Sequence, residues 1–199
     1  MYNYRKWDER YGAADFAYGT EPNGFLSAEK GRIPDGRVLS LAEGEGRNGV
    51  FLAGLGFDVT GVDGSSVGLA KAQSLAQDAG VTLTTVVTAL EDFTIEPETW
   101  QGIVSIFCHL PPPLRSRLHR EAVAGLVPGG VFILEAYTPR QLGRGTGGPP
   151  IPELLMPLDE VRTELDGLDL VIAREIERDV VEGRFHTGTA HVLQIVGVK

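Results

Sequence analysis

The sequence predicts one α/β domain with a seven-stranded, mostly parallel sheet, an antiparallel last strand and helices on both faces. Three observations carry this expectation. Apolar strand-like runs alternate with helical patterns along most of the 199 residues. The first strand runs through a glycine-containing turn, Ala42-Glu43-Gly44-Glu45-Gly46, straight into a helical pattern. The last two strand patterns are joined by a short segment at Gly183, as in a hairpin.

The elements follow in order. Strands are expected at about 37–41, 58–62, 82–87, 102–108, 130–137, 169–177 and 188–198. Ser65 is placed as the N-cap of a helix over Ser66–Asp78, with Gly80 as its stop. Pro111–Pro113 end the fourth strand and open a helix carrying Leu114, Leu118, Val123 and Leu126. Gly129-Gly130 turns into the fifth strand. Two segments stand outside the alternation. Residues 1–30 are aromatic and charged, and residues 138–157 are rich in Gly and Pro. A loop that long in a small domain is a functional candidate. No repeat or second domain is visible.

Composition bounds the function. Hydrophobic content of 42% and charged content of 23% are those of an ordinary globular protein. A formal charge of −9 gives no net attraction to nucleic acid or an anionic membrane, so neither is an expected partner. The start, Met1-Tyr2-Asn3-Tyr4-Arg5-Lys6, has no apolar signal core. The single Cys forms no internal disulfide, and a cytoplasmic setting is the simplest expectation. A monomer or a homodimer would suit the chain equally.

The glycine turn and the acid Asp63, 17 residues beyond Gly46, make a nucleoside half-site. Small residues allow close backbone approach, and a carboxylate at the second strand tip accepts hydrogen bonds from ribose hydroxyls. Gly44, Gly46 and Gly49 spell a literal G-x-G-x-x-G, a weak signal for a dinucleotide. Glu43 and Glu45 argue for a different ligand. Carboxylates repel a pyrophosphate and suit a cationic head, so the turn favours S-adenosylmethionine over a nicotinamide dinucleotide.

The segment Leu41-Ala42-Glu43-Gly44-Glu45-Gly46-Arg47-Asn48 resembles motif I of class I S-adenosylmethionine-dependent methyltransferases, in the tellurite-resistance and thiopurine methyltransferase-like branch. Trp7-Asp8-Glu9-Arg10-Tyr11 with Tyr18-Gly19-Thr20-Glu21-Pro22-Asn23 is similar to that branch's N-terminal cap. Gly61-Val62-Asp63-Gly64-Ser65 looks like motif II, and Ile103 to Pro111 looks like the fourth-strand motif. The resemblance spans nearly the whole chain and implies a Rossmann-like methyltransferase fold with a small-molecule acceptor, such as a thiol or a chalcogen oxyanion. It departs at Ser40, where an acid is usual, and at Ala42, where a glycine is usual.

The resemblance implies cofactor contacts at Tyr18, Ala42, Glu43, Gly44, Asn48, Asp63, Gly64, Ser65, Ala89, Leu90, Glu91, Phe107 and His109. Ala89 stands where an acid is usual, which leaves the adenine amino group to Glu91, Asp92 or the backbone of Ala89 and Leu90. Tyr18 is a candidate cap over the sulfonium, where an aromatic face attracts a cation, or an ordinary core ring. His109 is the one candidate base, and equally a packing residue at the fourth strand's end. Cys108 reads as core, and His119 as part of a solvated basic face. His186 and His191 point to opposite sides of a strand, and no metal site is expected. The remaining readings are a nicotinamide-dependent oxidoreductase and a non-catalytic S-adenosylmethionine-binding protein.

Overall fold

The computed structural model describes residues 5–199. Met1-Tyr2-Asn3-Tyr4, the start of the expected cap, lies outside the described residues. The strands are β1 (Arg37–Leu41), β2 (Asp58–Asp63), β3 (Thr84–Val87), β4 (Trp100–Ile106), β5 (Leu126–Tyr137), β6 (Asp169–Glu182) and β7 (His186–Val198). They form one sheet in the order β3-β2-β1-β4-β5-β7-β6. The first five are parallel, and β7 runs antiparallel between β5 and β6. The helices are α1 (Arg5–Tyr11), α2 (Gly24–Glu29), α3 (Arg47–Gly54), α4 (Ser66–Asp78), α5 (Pro112–Gly125) and α6 (Leu158–Glu164).

Strand periodicity explains the two cores. Successive side chains point to opposite faces, so each central strand feeds both. Val38, Val59, Val104, Val131 and Ile133 meet Leu26, Val50, Leu52, Leu69 and Ala72 of α2, α3 and α4. Leu39, Leu41, Ile103, Phe132 and Leu134 meet Leu118 and Ala122 of α5 and Val161 of α6. Burying each such side chain contributes about 1.5–3 kcal/mol. A strand covered on both faces reads as a continuous apolar run, which is why β1 and β4 were legible.

Local chemistry sets the helix starts. The Ser65 hydroxyl accepts the Gly68 N–H at 3.0 Å and caps α4 as expected. Gly46 precedes α3 with φ 97°. A Cβ there would meet Ala72 of α4 at 2.6 Å, so only glycine lets these helices approach.

Two boundaries and one side chain differ from expectation. β5 begins at Leu126, immediately after α5, and Gly129-Gly130 forms an irregularity inside the strand. The β6–β7 hairpin is longer than expected. Its pairing continues outward through Asp179↔Thr189 to Glu182↔His186, where polar residues hide the strand period. The third correction is His119, which is buried and bonds Glu164 at 2.7 Å through Nδ1.

That bond belongs to a clamp between α5 and α6. The Arg115 side chain is 1% exposed and gives Glu164 three hydrogen bonds of 2.8–3.1 Å. A fourth reaches Glu160 at 2.7 Å, whose side chain is 58% exposed. Burial matters more here than bond count. Removing Arg115 strands the Glu164 charge beside a neutral His119, whereas Glu160 turns back to water. Arg115→Ala should lower unfolding free energy by about 3–5 kcal/mol. Glu160→Ala should cost less than about 1 kcal/mol. Chemical denaturation of the two variants checks the contrast.

Candidate active site

The β1–α3 turn and the tip of β2 come together at the carboxyl end of the parallel strands. Asp63 Oδ2 accepts the Gly44 N–H at 2.9 Å, and Oδ1 accepts the Ser65 N–H at 2.8 Å. Burial holds its carboxyl above the ordinary range, against the lowering pull of these N–H groups. Each carboxylate oxygen has a second lone pair for a ribose hydroxyl. Ala42 and Gly44 both lie in the left-handed region, at φ 52° and 62°. That explains the glycine usual at position 42, since alanine takes this conformation at some cost.

The two acids of the turn do not present bare charges to a cationic ligand. Glu43 folds back over Gly61 of β2, and its Oε1 accepts the Gly49 N–H at 2.7 Å. The Ser40 hydroxyl lies against the same carboxyl. Burial pushes this carboxyl up to about 7. Glu45 is neutralised by Lys71 Nζ at 2.5 Å and accepts the Ala17 N–H at 2.8 Å. The charge argument for the turn is therefore corrected. Both carboxylates hold backbone.

The N-terminal segment docks on this half-site. Lys71 Nζ also reaches the carbonyls of Ala13 at 3.0 Å and Asp15 at 2.6 Å. The Ser65 hydroxyl donates to Asp8 at 2.6 Å. Tyr11 packs so closely that a Cβ on Gly44 would lie 2.8 Å from its hydroxyl. Asn48, expected at the cofactor, turns its Oδ1 to the Asn23 N–H at 2.9 Å. Tyr18 accepts a 2.7 Å bond from Arg10, and its ring lies 4.5 Å from that of His186.

Beyond β3, Leu90 is buried while Glu91 and Asp92 are exposed. Arg117 holds the loop by donating to the Leu90 carbonyl at 2.6 Å and the Phe93 carbonyl at 3.0 Å. Phe107 follows β4 with φ 51° and stacks on Tyr137 at 4.6 Å. His109 does not stand as a base. Its Nδ1 donates to the Leu154 carbonyl at 2.8 Å, and its Nε2 accepts the Tyr137 N–H at 3.2 Å. Burial lowers its pKa to about 4. It tethers the Gly/Pro-rich loop to β5. Cys108 is buried beside it, with its thiol pushed up to about 12 by burial.

The fourth side of the site escaped sequence reading. The Glu135 carboxylate of β5 is fully buried. It accepts bonds from Asn23 at 2.6 Å, Gln194 at 2.8 Å and Arg178 Nε at 2.8 Å. Glu182 joins Arg47 at 2.6 Å and Arg178 at 2.8 Å. Arg178 and Glu182 lie four apart on one face of β6, a spacing visible in the sequence once that strand is drawn long enough.

Residues 38–130, the segment holding the turn, Asp63 and β4, match a family described as methyltransferase domain. A search of curated proteins finds no match. Among solved structures, the chain is similar to one from work on converting a disulfide bond into a thioacetal group during echinomycin biosynthesis. That match has 19% identity and a TM-score of 0.75, over 98% of this chain and 88% of the other. It is also similar to TehB from Haemophilus influenzae, at 18% identity and a TM-score of 0.73, over 97% of this chain and 65% of TehB. Magnesium protoporphyrin IX methyltransferase from Synechocystis, solved with S-adenosylmethionine bound, matches at 16% identity and a TM-score of 0.63, over 98% and 78%. At these identities the likeness shows the fold. Residues 38–130 thus match a methyltransferase-domain family, and the whole chain shares its fold with S-adenosylmethionine-dependent methyltransferases.

Glu43 offers a test of the turn. Its folded-state pKa, about 7, lies above the ordinary 4.5. The stability it contributes is full below the ordinary value and is lost as pH rises through about 7. Glu43→Gln keeps an oxygen for the Gly49 N–H and removes the titration. Its urea midpoint should fall less than the wild-type midpoint between about pH 5 and 8. Parallel pH curves for the two proteins would place the titration elsewhere.

Proposed function

We propose that the chain transfers the methyl group of S-adenosylmethionine to a small-molecule nucleophile in the cytoplasm, as a monomer or homodimer. The observation that carries this reading is Asp63, braced by the turn it faces and open to further hydrogen bonds. Gly44, Asp63, Gly64 and Ser65 form the ribose and methionine side of the site. The Ala89–Glu91 loop forms the adenine side. Ala42, Glu43 and Asn48 shape the turn from behind, while Tyr18, Phe107 and His109 line or brace the acceptor side.

The cofactor, when bound, supplies an activated methyl group on a sulfonium. The protein's part is alignment and exclusion of water. Aromatic rings suit both tasks beside a cation. Trp7, Tyr11 and Tyr18 form a packed group on the cap, with Trp7 and Tyr11 stacked at 5.7 Å.

Asp63→Ala should weaken S-adenosylhomocysteine binding about ten- to a hundredfold, or about 1.5–3 kcal/mol. Titration calorimetry measures this, with thermal melts to verify folding. A wild-type melting shift with NAD and none with S-adenosylhomocysteine would favour the oxidoreductase reading instead.

The Thr138–Pro157 loop and the cap together cover the acceptor side. Glycines let the loop open for exchange, and prolines restrict its shapes. Deleting Gly143–Gly148 should leave S-adenosylhomocysteine affinity nearly intact and reduce turnover or change acceptor preference. Wild-type turnover with wild-type preference would remove the loop from the site.

A further inference from the structure

The chain from the end of α1 to Ala17 is folded around a single cation. Lys71 of α4 sends its ammonium to the carbonyls of Tyr11 at 3.3 Å, Ala13 at 3.0 Å and Asp15 at 2.6 Å. Its fourth partner is Glu45 Oε1 at 2.5 Å, and the Phe16 ring lies 4.8 Å from the same nitrogen. The Lys71 side chain is 18% exposed and that of Glu45 is 3% exposed, so the pair is little screened by salt. Tyr11 ends α1, and a cation is favoured at a helix C-terminus. Glu45 stands in the cofactor turn between Gly44 and Gly46. One ammonium thus joins α4, the end of α1 and the turn.

The two halves of the cap are fastened differently. Residues 17–23 sit on the sheet. The Ala17 carbonyl accepts the Arg184 N–H at 3.0 Å, and a Cβ on Gly183 would fall 2.4 Å from the Tyr18 Cα. Asn23 bonds Glu135 at 2.6 Å and Glu182 at 3.0 Å. Residues 5–16 lean on α4 instead. Asp8 accepts from the Ser65 hydroxyl at 2.6 Å, and the Tyr11 ring packs so closely that a Cβ on Gly68 would lie 2.8 Å from it. Arg10 adds a contact at the rim, 4.7 Å over the exposed Phe185 ring. The join between the halves is Ala17, whose N–H is held at 2.8 Å by Glu45 Oε2. Tyr11 covers Gly44 and Asp8 covers Ser65, so α1 closes the half-site that Asp63 braces.

Resting on the methyl-transfer reading above, we propose that Lys71 is a positioning residue that latches α1 over the cofactor turn, and that its release sets how fast the demethylated cofactor leaves. Residues 5–16 swing about Ala17 as a flap, while residues 17–23 stay on the sheet. The swing lifts Tyr11 from Gly44 and Asp8 from Ser65. Lys71 touches neither methyl group nor acceptor and acts through α1. The charge arrangement makes it a latch that can open. On opening, Lys71 exchanges three carbonyls for water and keeps Glu45, so no buried charge loses its partner. Closure restores bonds from a charged donor, which are stronger than those between neutral groups.

The test starts with calorimetry of S-adenosylhomocysteine on the wild-type protein. Absence of binding would overturn the methyl-transfer reading and this inference with it. With binding established, release of tritiated S-adenosylhomocysteine is timed by a chase with the unlabelled compound. Lys71→Met keeps the length of the side chain and removes the ammonium. It should speed release about ten- to a hundredfold and leave the association rate within a few-fold. Hydrogen exchange on the same variant should show protection lost at residues 5–16 and kept at residues 17–23 and in β1 to β4. Unchanged release, or protection lost evenly through the sheet, would overturn the proposal. A further measurement needs no variant. In the wild-type protein, saturating S-adenosylhomocysteine should slow exchange at residues 5–16 more than at residues 17–23. Equal slowing of the two stretches, or none at residues 5–16, would overturn the flap and its latch together.

Discussion

The buried carboxylate of Glu135 is the constraint on which the rest of the site depends. A fully buried charge is tolerable only with partners of good geometry. Glu135 draws those partners from three places: Asn23 at the end of the cap, Arg178 on β6, and Gln194 on β7. Asn23 also caps α2, bonding the Leu26 N–H at 2.9 Å. Glu182 extends the same network to Arg47 at the start of α3. One charge thus ties the parallel sheet, the antiparallel hairpin, the cap and the cofactor turn into a single unit. None of these contacts touches a reacting atom. They fix where the aromatic walls stand.

The half-site built by the β1–α3 turn and the tip of β2 is short in sequence, and its local structure was legible there. Its turn, acid and helix cap lie between Ala42 and Gly68, and each has a local physical signature. Buried parallel strands read as apolar runs, and Ser65 reads as a helix start because its hydroxyl replaces a missing backbone partner. What failed was inference of side-chain direction. Glu43 and Glu45 are two residues apart in a left-handed turn, where neither helical nor strand spacing says where a carboxylate points. His119 looked solvated because its neighbours are basic, yet its partner Glu164 lies 45 residues away.

The side of the site built from β5 and the hairpin was illegible for the same reason in stronger form. Tyr137 sits on a strand that reads as core, and His186 falls on a strand whose start was placed two residues late. Their shared feature is a pair of polar atoms unsatisfied among the described residues, which no one-dimensional pattern encodes. Residues of the glycine turn and the β2 tip are local and patterned. The groups that meet around Glu135 come from the cap, from β5, from β6 and from β7, and only the fold unites them.

The long reach of Asn23 has a consequence for how the chain is made. Its partners Glu135 and Glu182 lie 112 and 159 residues further along. During synthesis from the N-terminus, β1, α3 and β2 can assemble the cofactor turn once their own segment has emerged. The cap emerges first, yet the carboxylates that fasten Asn23 do not exist until β5 and the end of β6 are made. Contacts of such high sequence separation form late, because they require closure of a long loop. The nascent protein therefore passes through a stage with its nucleoside half-site built and its aromatic cap undocked.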